Sequence, residues 1–248
     1  MSYPVRLFAL LLAGVVLGCT SVTSAAAAET GRLEELSRAV AAVPDDMLKG
    51  NALRRVCREE KAFERCIDLF DRLAADHPTV AAVRFNAALA YVDNLPNHSL
   101  YMQARFSTHS MDHVSAILEA DPDNWLALYI RGLNNLYWPL WYHRTGRAMT
   151  DLGRCIQISE SLPAQQRRPF MALAYVALGD TYARLDRIEE ARTVWAQGES
   201  QYASALLRQR LATEPHTVHE AIENVRSRDV PIDTDLQIFA VDSGGGSQ

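Results

Sequence analysis

Few side chains in this sequence are placed for catalysis or metal binding. His109 and His113 (HSMDH) stand four apart, which on a helix puts two imidazoles on one face, a usable start for a metal site. The glutamate that completes the zinc-protease motif is absent. His216, His219 and Glu220 carry the residues of the inverted motif in the wrong order. Both groups read as solvated surface histidines, so no metal and no cofactor is expected. The acid pairs Asp45-Asp46 and Glu189-Glu190 fit helix starts, where negative charge suits the dipole, better than an acid/base couple. The chain has no nucleophile elbow, phosphate loop or dinucleotide fingerprint; Gly244 to Gly246 belong to a tail. No acid, base and nucleophile converge, and the expectation is a protein that is not an enzyme.

Aromatic side chains carry more information. Trp125, Tyr129, Tyr137, Trp138, Trp141 and Tyr142 fall within residues 125–142. Such a concentration either packs neighbouring helices or forms a partner surface, since Trp and Tyr serve both purposes. Net charge is −5, and −6 once Arg6 is removed with the leader. An acidic domain has no electrostatic reason to bind nucleic acid.

The elements that position these residues begin after a leader. Arg6 precedes the apolar run Leu7 to Leu17, too short to span a membrane and right for a secretory h-region. Two endings compete. Val16-Leu17-Gly18-Cys19 looks like a lipobox, which would remove residues 1–18 and lipidate Cys19. Alternatively Ala26-Ala27-Ala28 is a small-residue cleavage site, making residues 1–28 the signal peptide. Either way the chain is expected to be exported, periplasmic or held at a membrane only by a lipid. Residues 29–46 form a lead-in helix with Leu33, Leu36, Val40 and Val43 on one side, closed by Pro44.

One stretch fixes the architecture. Tyr175, Leu178, Gly179 and Tyr182 are followed by Ala191 and Trp195. Gly179 and Ala191 are small where two helices approach closely, and Tyr182 and Trp195 fill the space beside them. This pattern resembles the tetratricopeptide repeat, a pair of antiparallel helices of roughly 34 residues. One repeat cannot bury its own apolar face, so the resemblance implies neighbours stacked in an all-α, right-handed superhelix. Four repeats are expected, over residues 47–80, 81–124, 125–162 and 172–205. Cys66, Phe70 and Pro78 carry the pattern in the first. The second and third have enlarged turns at residues 93–101 and 137–146. A capping helix over residues 206–228 and an extended or flexible tail over 229–248 complete the chain.

The resemblance also implies a function: docking of a peptide or protein partner in a concave groove lined by the first helices. On that basis Phe85, Asn86, Leu89, Tyr129, Leu133, Asn134 and Tyr137 face the groove, with Trp138 and Trp141 on the loop beside it. No groove rich in Lys or Arg is evident, which favours an apolar or aromatic ligand segment. The apolar residues Leu236, Ile238 and Phe239 in an otherwise polar tail could occupy that groove in cis. The same resemblance brings Cys57 and Cys66 onto facing sides of one helix pair, within disulfide range, while Cys155 is a buried free thiol. The leading expectation is an exported scaffold in an envelope complex. The alternative is a ligand-binding accessory subunit of a transport system, with an aromatic-lined small-molecule pocket.

Overall fold

The computed structural model describes residues 20–225 and 233–240. The apolar run of the leader, Cys19 and residues 226–232 and 241–248 lie outside them. The described residues form twelve α-helices and no strand: α1 (Thr20–Ala42), α2 (Met47–Glu59), α3 (Phe63–Asp76), α4 (Ala81–Asn94), α5 (Leu100–Ala120), α6 (Trp125–Tyr137), α7 (Thr145–Ser161), α8 (Ala172–Arg184), α9 (Ile188–Tyr202), α10 (Ala205–Ala212), α11 (Pro215–Val225) and α12 (Gln237–Ala240). None of the described helices is long and apolar enough to cross a membrane.

Local chemistry starts and stops these helices. Asp46 caps α2 by accepting a 3.0 Å hydrogen bond from the Lys49 amide, and Asn124 caps α6 through the Ala127 amide at 3.1 Å. Lys61 and Asp186, each at positive φ, turn the chain between α2 and α3 and between α8 and α9. Ala203, φ 47°, ends α9 in the left-handed conformation. Glu189 and Glu190 lie in the first turn of α9.

Consecutive helices pack on one another from α1 to α10, and α2 also meets α4, α6 meets α8, and α8 meets α10 and α11. The helix pairs are therefore stacked in sequence. The closest contact lies in α8–α9. The indole of Trp195, fully buried, rests directly on Gly179, where any Cβ would collide with it, and donates to the carbonyl of Val176 at 3.3 Å. Cys155 is buried and free, and burial pushes its thiol pKa well above the ordinary range. Cys57 and Cys66 face each other across α2 and α3 with Cα atoms 6.2 Å apart and their sulfurs joined.

Two expectations need correction. Leu33 and Val40 are buried, but Val43, whose amide still bonds the Ala39 carbonyl at the end of α1, is 40% exposed, and the chain turns after it at Pro44 and Asp45. The tail is not extended throughout its described part. Asp235 accepts from the Gln237 amide at 2.9 Å, and that bond starts a single helical turn, Gln237–Ala240.

Candidate binding site

The described part of the tail lies against α2 and, further along, against α6. Its anchor is polar. Arg54 of α2, fully buried, donates through Nη2 to the Thr234 carbonyl at 2.7 Å and to Asn51 Oδ1 at 2.7 Å, and through Nη1 to Asp93 at 2.8 Å. Burial pulls the pKa of Arg54 down, while the Asp93 carboxylate opposes it. Arg58, one turn on, reaches the other oxygen of Asp93 at 2.9 Å and the Thr234 hydroxyl at 3.0 Å. Asn51 completes the clamp. Its amide donates to Asp235 at 2.7 Å and its oxygen accepts from the Leu236 amide at 3.1 Å. The α2 side chains thus read a carbonyl, an amide and a hydroxyl of one short peptide.

Beyond the clamp the contacts turn apolar. Leu236 is buried in the main core, and Phe239 packs on Phe170, Tyr129 and Trp125 with ring centroids 5.4, 5.8 and 6.4 Å away. Trp125 is itself held by Nε1 bonds to the Cys155 carbonyl and Ser159 Oγ, both 3.0 Å.

Between this segment, the two enlarged turns and α8 there remains a chamber of about 730 Å³. Its walls are mostly apolar, including Leu89, Leu133 and Val176, with the buried ion pair of Asp180 and Arg210 on one side. Burial raises the Asp180 carboxyl pKa, against the pull of Arg210. Its mouth gathers exposed hydrophobics. Of the eight large hydrophobic side chains exposed among the described residues, Leu100, Tyr101, Trp141, Tyr142 and Ile238 line it.

Buried polar contacts hold the mouth in place. Arg184, fully buried, donates to the carbonyls of Leu136 and Trp138, satisfying the orphan C=O groups at the end of α6, and pairs with Glu223 of α11 at 2.5 Å. Trp138 is buried rather than exposed. Its Nε1 donates to Ser107 Oγ at 2.7 Å, and the Arg144 guanidinium covers its ring at 3.6 Å.

The expected groove residues therefore divide. Leu89, Tyr129, Leu133, Asn134, Tyr137, Trp138 and Trp141 all line the chamber. Trp138 does so as a buried wall, and only Trp141 is widely exposed. Phe85 and Asn86 do not line it. Phe85 is core, and Asn86, 1% exposed, bonds Arg54 Nε and the carbonyls of Met47 and Ala82, filling the gap left by Gly50. Of the arginines nearby, Arg210 lines the chamber, while Arg54 and Arg58 hold the tail segment beside it. Arg54 and Arg58 stand four apart on the same side as Leu53 and Cys57, a pattern visible in the sequence itself.

The histidine pairs have structural contacts. His113 Nε2 meets Asp71 at 3.0 Å and His109 stacks on Tyr91, while His216 pairs with Glu220 at 3.2 Å on the surface.

No protein-family model matches the chain, and no curated protein matches it. Among solved structures it is similar to a thermophilic TPR protein of Thermus thermophilus, 18% identical, with a TM-score of 0.54 over 77% of this chain and 93% of that one. It is also similar to a tetratricopeptide repeat protein of Parabacteroides merdae, 14% identical, with a TM-score of 0.52 over 83% of this chain and 72% of that one. The fold of this chain is that of the tetratricopeptide-repeat proteins: helix pairs stacked in sequence.

Proposed function

We propose that the chain is a non-enzymatic docking scaffold of the cell envelope that takes a peptide or protein partner on the face that carries the tail segment. The fold supports protein binding in general terms. The observation that carries the reading is the lodged segment Asp233–Phe239, bound through its own main chain by Arg54 and Asn51 and through Leu236 and Phe239 by apolar walls. Main-chain hydrogen bonds combined with side-chain pockets are how extended peptides are recognised. The exposed rim of Leu100, Tyr101, Trp141 and Tyr142 continues that surface outward and supplies the aromatic residues that dominate interface hot spots.

Site-specific photocrosslinking in the producing cell tests this. A photoreactive phenylalanine analogue at Tyr101 or Trp141 should trap a protein, whereas one at the exposed Thr150 of α7 should not. Equal labelling from all three positions would sink the reading. Export is tested separately by the mature N-terminus: a lipidated Cys19 or a free Glu29 supports the envelope location, and an intact Met1 in the cytoplasm removes it. The chamber of about 730 Å³ favours a second reading, an accessory subunit of a transport system holding a small molecule, since such volumes suit small ligands.

A further inference from the structure

The chamber has two unlike ends. At its mouth, Leu100, Tyr101, Trp141, Tyr142 and Ile238 are between 47 and 78% exposed. Deeper in, it carries donors that the protein leaves unused. Tyr129 is 9% exposed, yet its hydroxyl has no hydrogen-bond partner among the described residues. The hydroxyl of Tyr137, on the same helix and in the same wall, has none either. Arg210 spends Nε and Nη2 on Asp180, at 2.8 and 3.0 Å, which leaves Nη1 without a partner among the described residues. Both hydroxyl oxygens remain accessible and both residues line the chamber, so the site offers donors that no protein group uses, which suits an acceptor. Burial pushes the Tyr137 phenol up to about 12 and the Tyr129 phenol beyond the usual range, so both stay protonated donors at any physiological pH.

Charge narrows the acceptor. Arg210 is already neutralised by Asp180, and Asp233 and Asp235 line the same chamber. A carboxylate or phosphate entering here would meet three acidic side chains and only one arginine, itself engaged. A neutral oxygen takes the phenol donors without bringing an ion out of water. The remaining wall is apolar from Leu89 through Leu133 and Val176 to the rim. It suits an unbranched chain rather than a polar ring.

We propose that this chamber binds an amphiphile with one long apolar chain and a neutral oxygen head, such as an acyl ester. The head accepts from Tyr129 and Tyr137, and the chain runs outward to Trp141 and Leu100. This goes beyond the docking of a peptide at the Arg54 clamp, and the two are measured independently.

The test uses the full chain and three probes of equal chain length: methyl palmitate, palmitate and hexadecane. Binding is read by displacement of a naphthylamine fluorophore and by native mass spectrometry. The ester should bind at one-to-one stoichiometry, about tenfold or more tighter than the alkane, the value of one or two hydrogen bonds. Tyr129→Phe with Tyr137→Phe should erase that preference while leaving alkane binding intact, which also reports that the chamber is folded. Trp141→Ala, at an exposed rim position, should weaken ester and alkane alike. Equal affinity for ester and alkane in the unaltered chain, tighter binding of palmitate than of the ester, or no saturable binding of any probe would each overturn the proposal. Photocrosslinking from Tyr101 or Trp141 fails or succeeds independently of these results.

Discussion

The carbonyl oxygen of Thr234 accepts a 2.7 Å hydrogen bond from Nη2 of Arg54, joining residues 180 positions apart in the chain. A fully buried guanidinium on the first helix pair is thereby satisfied by main chain from the tail, with Asp93 supplying its counter-charge. The tail is part of the binding face: its clamp forms only when both ends of the stack are in place.

Replacing Arg54 by Met should therefore do two things. Asp93, 3% exposed at its side chain, loses its buried cationic partner and keeps the partly exposed Arg58 and the Thr234 hydroxyl. Breaking such a pair costs about 3–5 kcal/mol. The variant should also release the tail, so amide exchange at residues 233–240 should speed up by orders of magnitude while α8 and α9 stay protected. Thr234→Val removes only the hydroxyl contacts and should cost about 1 kcal/mol. If both variants leave tail exchange unchanged, the segment is held by Leu236 and Phe239 instead.

What is legible in the sequence is local. Tyr175, Leu178, Gly179 and Trp195 mark one helix pair because the contact they make is set within one repeat, and the stacked helical fold follows from it. Facing is harder. On α4, Val83 and every residue from Phe85 to Tyr91 are buried, so apolar spacing singles out no groove side, and Phe85 and Asn86 lie away from the one expected of them. The spacing of Arg54 and Arg58 is visible in the sequence, but not their role, because their partners, Asp93 and Thr234, are remote in sequence. Trp138 is legible as an aromatic on an enlarged turn but not as a wall, since Ser107 and Arg184, which hold it, come from other helices.

Acid should loosen the α3–α5 contact. Burial works to raise the pKa of Asp71, but hydrogen bonds from His113 and Tyr91 outweigh it and hold the carboxyl below its ordinary 3.8. A carboxylate with a depressed folded-state pKa contributes stability that is fully present above the unfolded value. That stability is lost as pH falls through the folded value. Urea midpoints should therefore drop as pH falls below about 4, more steeply in the unaltered protein than in Asp71→Asn. Tyr91→Phe, which removes a 2.6 Å donor, should flatten the profile part of the way. Identical profiles for all three proteins would assign acid sensitivity elsewhere.

Cys57 and Cys66 enclose a short loop between α2 and α3. Closing a loop of that size stabilises by about 2–3 kcal/mol when the native geometry accommodates it. Reductant should lower the melting temperature of the unaltered chain and leave Cys57→Ala/Cys66→Ala unmoved. Non-reducing peptide mapping should recover Cys57 joined to Cys66 and Cys155 as a free thiol, as its burial on α7 requires. Any bond to Cys155 would contradict this arrangement of the helix pairs.

The close approach in α8–α9 gives the sharpest stability prediction. A Cβ on Gly179 would stand within the Trp195 indole, which is fully buried and cannot swing away without vacating the core. Gly179→Leu must therefore push α9 off α8, and overpacking of this kind costs about 1–3 kcal/mol or more. Gly153 of α7 is the control, since a Cβ there meets nothing within 4 Å. Gly153→Ala should stabilise the protein by about 0.5–1 kcal/mol, because alanine loses less backbone freedom in a helix. Gly179→Ala separates clash from bulk: if the contact is as tight as it stands, even one methyl group lowers the melting temperature, and Trp195 fluorescence shifts to the red as water reaches the indole. Retention of the native melting temperature by Gly179→Leu would mean that Trp195 does not occupy that space in solution.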